Sequence, residues 1–148
     1  MTTLLLLIGC STILILGVGA FDVTRTKVEE IQLTSKDIIA ADELDVKTRD
    51  NARQYRFIGD LKIGERHSDE TVFRRTVDVS NPTDDVYSSA IMLSVERGTI
   101  HYVSITNERN SYAVACDDLY SLGSSRTSIK VRVPPNSKST LLLIVAAH

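Results

Sequence analysis

Tryptophan is absent, aromatic residues make up only 5% of the chain, and two cysteines and three prolines are spread over 148 residues. Two cysteines exclude a disulfide-stapled scaffold, so stability has to come from a packed core. The 17 Lys and Arg stand against 19 Asp and Glu and do not cluster, which leaves no electrostatic footprint for a nucleic acid or an anionic membrane. A Gly-rich phosphate cradle is also missing, and Gly123-Ser124-Ser125 is not a nucleophile elbow. Asn81-Pro82-Thr83 has the spacing of a glycosylation site, but its middle proline blocks acceptance.

Charge is missing altogether from residues 1–20, where an apolar run over 4–16 ends at Val18-Gly19-Ala20. An apolar centre followed by small residues three and one positions before a junction predicts a signal peptide over 1–20. The mature chain then starts at Phe21, is secreted and extracellular, and has no membrane association after cleavage. Two alternatives stay open. A retained anchor needs about 20 apolar residues, and this run is broken by Cys10-Ser11-Thr12, Gly17 and Gly19. Leu7-Ile8-Gly9-Cys10 is similar to a lipoprotein cleavage box, against which stand the lack of a preceding Lys or Arg and an apolar run that continues past Cys10. Cleavage removes Cys10 and leaves Cys116 alone, either buried and inert or the point of an intermolecular disulfide joining a homodimer.

What is present divides at residue 57. Residues 21–56 are dense in charge and thin in large apolar side chains, and are expected to form a polar N-terminal extension, partly helical or disordered. Thr34 and Asp37 mark a helix start, and a helix through Ala40 and Ala41 is open because 36–54 lacks Gly and Pro. Residues 57–148 alternate β-branched runs with turn residues and predict an all-β domain, mainly an antiparallel sheet or sandwich of about seven strands. Residues 71–79 put Phe73, Val77 and Val79 on one face, with Arg75 the exception; 87–95 does the same with Tyr87, Ile91, Leu93 and Val95. Glu96-Arg97-Gly98 predicts a hairpin into 99–106. Residues 111–116 direct Tyr112, Val114 and Cys116 to one side. The alternating strand 127–133 reaches 141–146 through Pro134-Pro135-Asn136-Ser137, read as a second hairpin. Apolar at every position, 141–146 is expected to be central and covered on both faces.

Candidates for chemistry are sparse. His67 lies among Glu65, Asp69 and Glu70 in a polar turn and reads as a solvated loop residue; His101 alternates outward from Ile100 and Tyr102; His148 is the last residue. Metal binding needs ligands that converge, so no metal or other cofactor is expected. Asp117-Asp118 reads as a turn after a strand, the paired-carboxylate or calcium alternative lacking the regular oxygen ligands of a binding loop. Tyr102, Tyr112 and Tyr120 fall in one strand-and-turn region and form the candidate binding surface, since tyrosine is favoured at interfaces. The competing reading is that they are ordinary β residues with buried rings and wet hydroxyls.

Gly59, Gly64-Glu65-Arg66, Arg75-Thr76-Val77-Asp78-Val79, residues 100–106 and Ser121-Leu122-Gly123 before the strands of 129–145 together resemble the insect multiprotein-bridging-factor-two-like family. The resemblance covers residues 57–148, with Leu122-Gly123-Ser124-Ser125 where the family has more glycine and Asn107-Glu108 where it has an acidic-Gln motif. It implies a small secreted protein, although the family name implies a transcription coactivator bridging a nuclear receptor and basal transcription factors. The leader favours the first. The function expected from the sequence is therefore a secreted, noncatalytic β-domain that binds an unknown protein or small-molecule partner and no nucleic acid. Coactivation is the alternative.

Overall fold

The computed structural model describes residues 27–40, 43, 59–117 and 122–148. These form nine strands: β1 (Lys27–Leu33), β2 (Ile38–Ile39), β3 (Leu61–Gly64), β4 (Thr71–Asn81), β5 (Tyr87–Val95), β6 (Ile100–Asn107), β7 (Val114–Asp117), β8 (Arg126–Val133) and β9 (Ser137–Ala147). One sheet has the order β1-β5-β8-β7, the other β2-β4-β9-β6-β3. All neighbours are antiparallel except β1 and β5, which run parallel from Lys27↔Ser89 to Leu33↔Val95. One buried cluster takes side chains from both sheets, so the fold is a β-sandwich. The all-β expectation holds, and residues 57–148 supply seven of the strands.

Alternation sets the inner faces. Ile91, Leu93 and Val95 of β5 meet Ile129, Val131 and Val133 of β8 and, from the other sheet, Leu141, Leu143 and Val145 of β9. Strand β9 lies centrally in its sheet, as its unbroken apolar run requires. Its other face carries Leu142, Ile144 and Ala146, which pack with Val72, Tyr102 and Ile39 outside the sandwich. Arg75, at an inward position of β4, escapes burial at the open side. Its Nη1 donates to the Gln32 carbonyl at 3.1 Å and its Nε stands 3.4 Å from Asp37 Oδ1. This guanidinium spans a charged groove of about 410 Å³ between β1 and β4.

Three expectations are corrected. Residues 27–39 are not an extension: β1 and β2 join the two sheets, and Ile31 and Leu33 reach the core at 7% and 1% exposure. Alternation at Ile31 and Leu33 is enough to bury one face of a short edge strand. The helix start at Thr34 is real, with the Thr34 N–H donating to Asp37 Oδ2 at 2.8 Å, but it yields only the single turn Ser35–Asp37 before β2. Ala41 and the rest of the segment to residue 58 lie outside the described residues, except Glu43. Neither expected hairpin forms: β5 and β6, and likewise β8 and β9, belong to opposite sheets. Both connections are arches across the core, with Gly98 at φ 93° and Asn136 at φ 47° taking the left-handed conformations. The one-sided set of Tyr112, Val114 and Cys116 does form: Tyr112 and Val114 point outward and Cys116 is partly exposed, while Ala113 and Ala115 face the core.

Asn81 anchors the second arch. It is 1% exposed, and its Nδ2 donates to the carbonyls of Asp85, Val133 and Pro134 while Oδ1 accepts from Thr83 N–H and Oγ1. A proline blocks this residue as a glycan acceptor, and so does its burial.

Candidate histidine cluster

The sheet order brings three chain segments to one end of the sandwich. Strand β9 runs between β4 and β6, and its last residue, Ala147, pairs with Thr71 at the start of β4 and with Ile100 at the start of β6. The residues flanking these positions are His67 to Glu70 before β4, His101 within β6 and His148 after β9. The imidazoles meet: ring centroids are 4.6 Å apart for His67 and His101, 4.7 Å for His101 and His148, and 5.5 Å for His67 and His148.

Each ring is positioned by backbone. His148 exchanges two hydrogen bonds with Thr99, whose N–H donates to the His148 carbonyl at 2.8 Å and whose carbonyl accepts from His148 N–H at 3.2 Å. A register shift between Ile100 and Tyr102 frees His101 from the regular alternation of β6. Its side chain is consequently 12% exposed, not the outward strand-surface residue that alternation predicts. The tight end of β3 makes room, since Gly64 at φ 78° lies so close that a Cβ there would sit 1.9 Å from the His101 carbonyl oxygen.

Glu70 closes the β3–β4 connection. Its carboxylate, 1% exposed, accepts from Arg66 Nε and from the His67 N–H at 2.7 Å, and Oε2 lies 3.5 Å from His101 Nε2. Arg66 also stacks over the Tyr102 ring, 5.5 Å from its centroid, with Lys62 Nζ at 5.8 Å. The His101 Nδ1 is 2.9 Å from the Glu65 carbonyl oxygen. A carbonyl only accepts, so Nδ1 carries a hydrogen, and Nε2 is left to face the Glu70 carboxylate. That nitrogen is shielded from solvent and has no hydrogen-bond partner. Among the described residues, no group of three or more His, Cys, Asp or Glu could hold a metal ion; the rings stand edge to face or tilted.

The residues singled out from the sequence lie elsewhere. Tyr102 is buried, at 6% exposure, on the outer face of the five-stranded sheet, whereas Tyr112 is 57% exposed in front of β7. Tyr102 pairs with Ala146, and the Tyr112 N–H donates to Ser139 Oγ at 3.3 Å. The two are thus separated by most of the length of β9, about 23 Å at 3.3 Å per residue. Tyr120 and Asp118 lie outside the described residues, as do Cys10 and the leader. Cys116 is a free, partly exposed thiol on β7, an edge strand, opposite Lys130 of β8. Asp117 ends β7 opposite Ile129. Sequence reasoning treated the histidines one at a time and missed their convergence, whose signal was their common position at the ends of strands that share β9 as neighbour.

Compared with known proteins, the chain matches no family model, no curated protein and no solved structure.

Proposed function

We propose that this chain is a secreted, noncatalytic β-sandwich that acts by binding. The observation that carries this reading is the uncharged apolar run of residues 1–20 ending at Val18-Gly19-Ala20. A compatible detail is that β1 begins at Lys27, so cleavage after Ala20 removes none of the nine strands. Support for binding comes from Tyr112 and Val114, which present 57% and 41% of their surface beside the β7 edge. A tyrosine next to an exposed apolar residue suits a protein or small-molecule partner. The resemblance to secreted members of the multiprotein-bridging-factor-two-like family points the same way.

The test is expression of the unmodified chain in insect cells, followed by N-terminal sequencing of what reaches the medium. A sequence beginning at Phe21 is the expected result. Retention of the intact leader in cells or nuclei overturns the proposal and favours coactivation. The same material run without reductant shows whether Cys116 joins two copies.

A further inference from the structure

We propose that the outer face of the four-stranded sheet binds a sulfated polysaccharide through the row Arg126, Lys130 and Arg132 on β8. Alternation decides which side chains stand there. Thr127, Ile129, Val131 and Val133 are buried, so Arg126, Ser128, Lys130 and Arg132 between them point outward. The three cations are exposed, and the row runs about 20 Å at 3.3 Å per residue. Scattered in the linear sequence, they are brought into line by the strand. On β5, Ser94 lies opposite Arg126, Ala90 opposite Lys130 and Ser88 opposite Arg132. These small side chains leave a level shelf beside the row, interrupted only by Met92 opposite Ser128.

Charge and chemistry select the ligand. Among the outward-pointing strand residues of this sheet, Glu30 is the single carboxylate, and it stands on β1, two strands and about 10 Å from the row. The face is therefore positive on a chain whose net charge is −2. Among the described residues, neither the Arg126 nor the Arg132 guanidinium has an ion-pair or hydrogen-bond partner. A guanidinium takes two oxygens of one anionic group, and several cations in line suit an anion repeated along a linear chain. Between and beside the cations, the hydroxyls of Ser88, Ser94 and Ser128 can donate to and accept from sugar hydroxyls. No aromatic ring points outward from these strands, so the stacking platform used by single-stranded nucleic acids is missing. An acidic peptide would bring backbone N–H and C=O groups to a sheet face that has none free to answer them. The proposal rests on the binding role inferred above, since Val114 borders this face opposite Arg132, and it names a ligand class for that role.

The experiment titrates the chain, purified from insect cells whether secreted or retained, with a heparin octasaccharide in an isothermal calorimeter at about 0.15 M salt. One octasaccharide per chain is expected, with no heat from the same sugar stripped of its sulfates. Arg126→Gln, Lys130→Gln and Arg132→Gln together should weaken binding at least about tenfold. The control Lys36→Gln, Arg97→Gln and Arg109→Gln removes the same charge from other exposed positions and should stay within about twofold of the parent. All six side chains are exposed, so both variants should keep the circular dichroism spectrum and melting temperature of the parent. If the β8 triple variant does not fold, Arg126→Gln and Arg132→Gln singly give the same reading. Absence of octasaccharide binding overturns the proposal, as does an equal loss in both triple variants, which would reduce the effect to net charge. Displacement of the sugar by poly-L-glutamate at equal charge also overturns it, in favour of an acidic protein. N-terminal sequencing of the same material reads secretion separately, so failure of the sugar site and failure of the secreted reading are told apart.

Discussion

At the scale of single residues, the backbone at Gly64 is the most constrained point near the histidines. A Cβ there meets the His101 carbonyl oxygen at 1.9 Å and Leu122 Cδ1 at 2.7 Å, and φ is 78°. Gly123 also has positive φ, at 103°, but nothing lies within 4 Å of its would-be Cβ. Alanine at 123 should therefore cost only the left-handed conformation, about 1–2 kcal/mol. Alanine at 64 adds displacement of the β6 backbone, and should be the more destabilising of the two by at least about 2 kcal/mol in urea unfolding. Equal losses would mean that β3 gives way without cost. Asp78 offers a pH prediction. Its carboxyl is held below the ordinary value first by the hydrogen bond from Lys138 and then by that from Thr140. A depressed carboxylate stabilises the fold above its unfolded-state pKa, and that contribution is lost as pH falls through the folded value. Lys138→Ala should raise the Asp78 pKa toward the ordinary range in an NMR titration. The stability gap between parent and variant should close in acid.

At the scale of elements, β1 tests whether the N-terminal strand belongs to the domain. Leu33 is 1% exposed in the core, whereas Val28, on the same strand, is 51% exposed. Leu33→Ala should cost about 2–5 kcal/mol and Val28→Ala close to nothing, measured by thermal or urea unfolding. A near-neutral Leu33→Ala would return residues 27–33 to the status of an arm. The strand was hard to read because Glu29, Glu30 and Gln32 surround Ile31 and Leu33, so composition outweighed alternation. Most of the other strands were legible, since β4, β5, β6, β8 and β9 all alternate or run apolar for eight residues or more. Their partners were not. Gly98 and Pro134-Pro135-Asn136 are the residues a hairpin uses, and an arch between sheets uses the same left-handed torsions.

At the scale of the whole molecule, the decisive property is that, apart from β7 and β8, neighbours in the sheets are not consecutive in sequence. Strand β1 lies against β5, and β4 against β9, so no local pattern announces the pairing. The histidine cluster depends on this order. His67, His101 and His148 converge only because β9 separates β4 from β6, and each ring taken alone looks like a turn, strand or terminal residue. The same order predicts how the molecule opens. Strand β9 is hydrogen-bonded along both edges and covered on both faces, by Leu141, Leu143 and Val145 inside and by Leu142, Ile144 and Ala146 outside. Its amides can exchange with solvent only when both sheets come apart. In native-state hydrogen exchange, the amides of residues 141–146 should be the slowest and should report the global unfolding free energy. Those of the short edge strands β2 and β7 should exchange through cheaper local openings. Because one core joins both sheets, far-ultraviolet circular dichroism and tyrosine fluorescence should trace the same urea transition. Two separate transitions, or fast exchange along β9, would mean that the sheets open independently and that the shared core does not hold them as one cooperative unit.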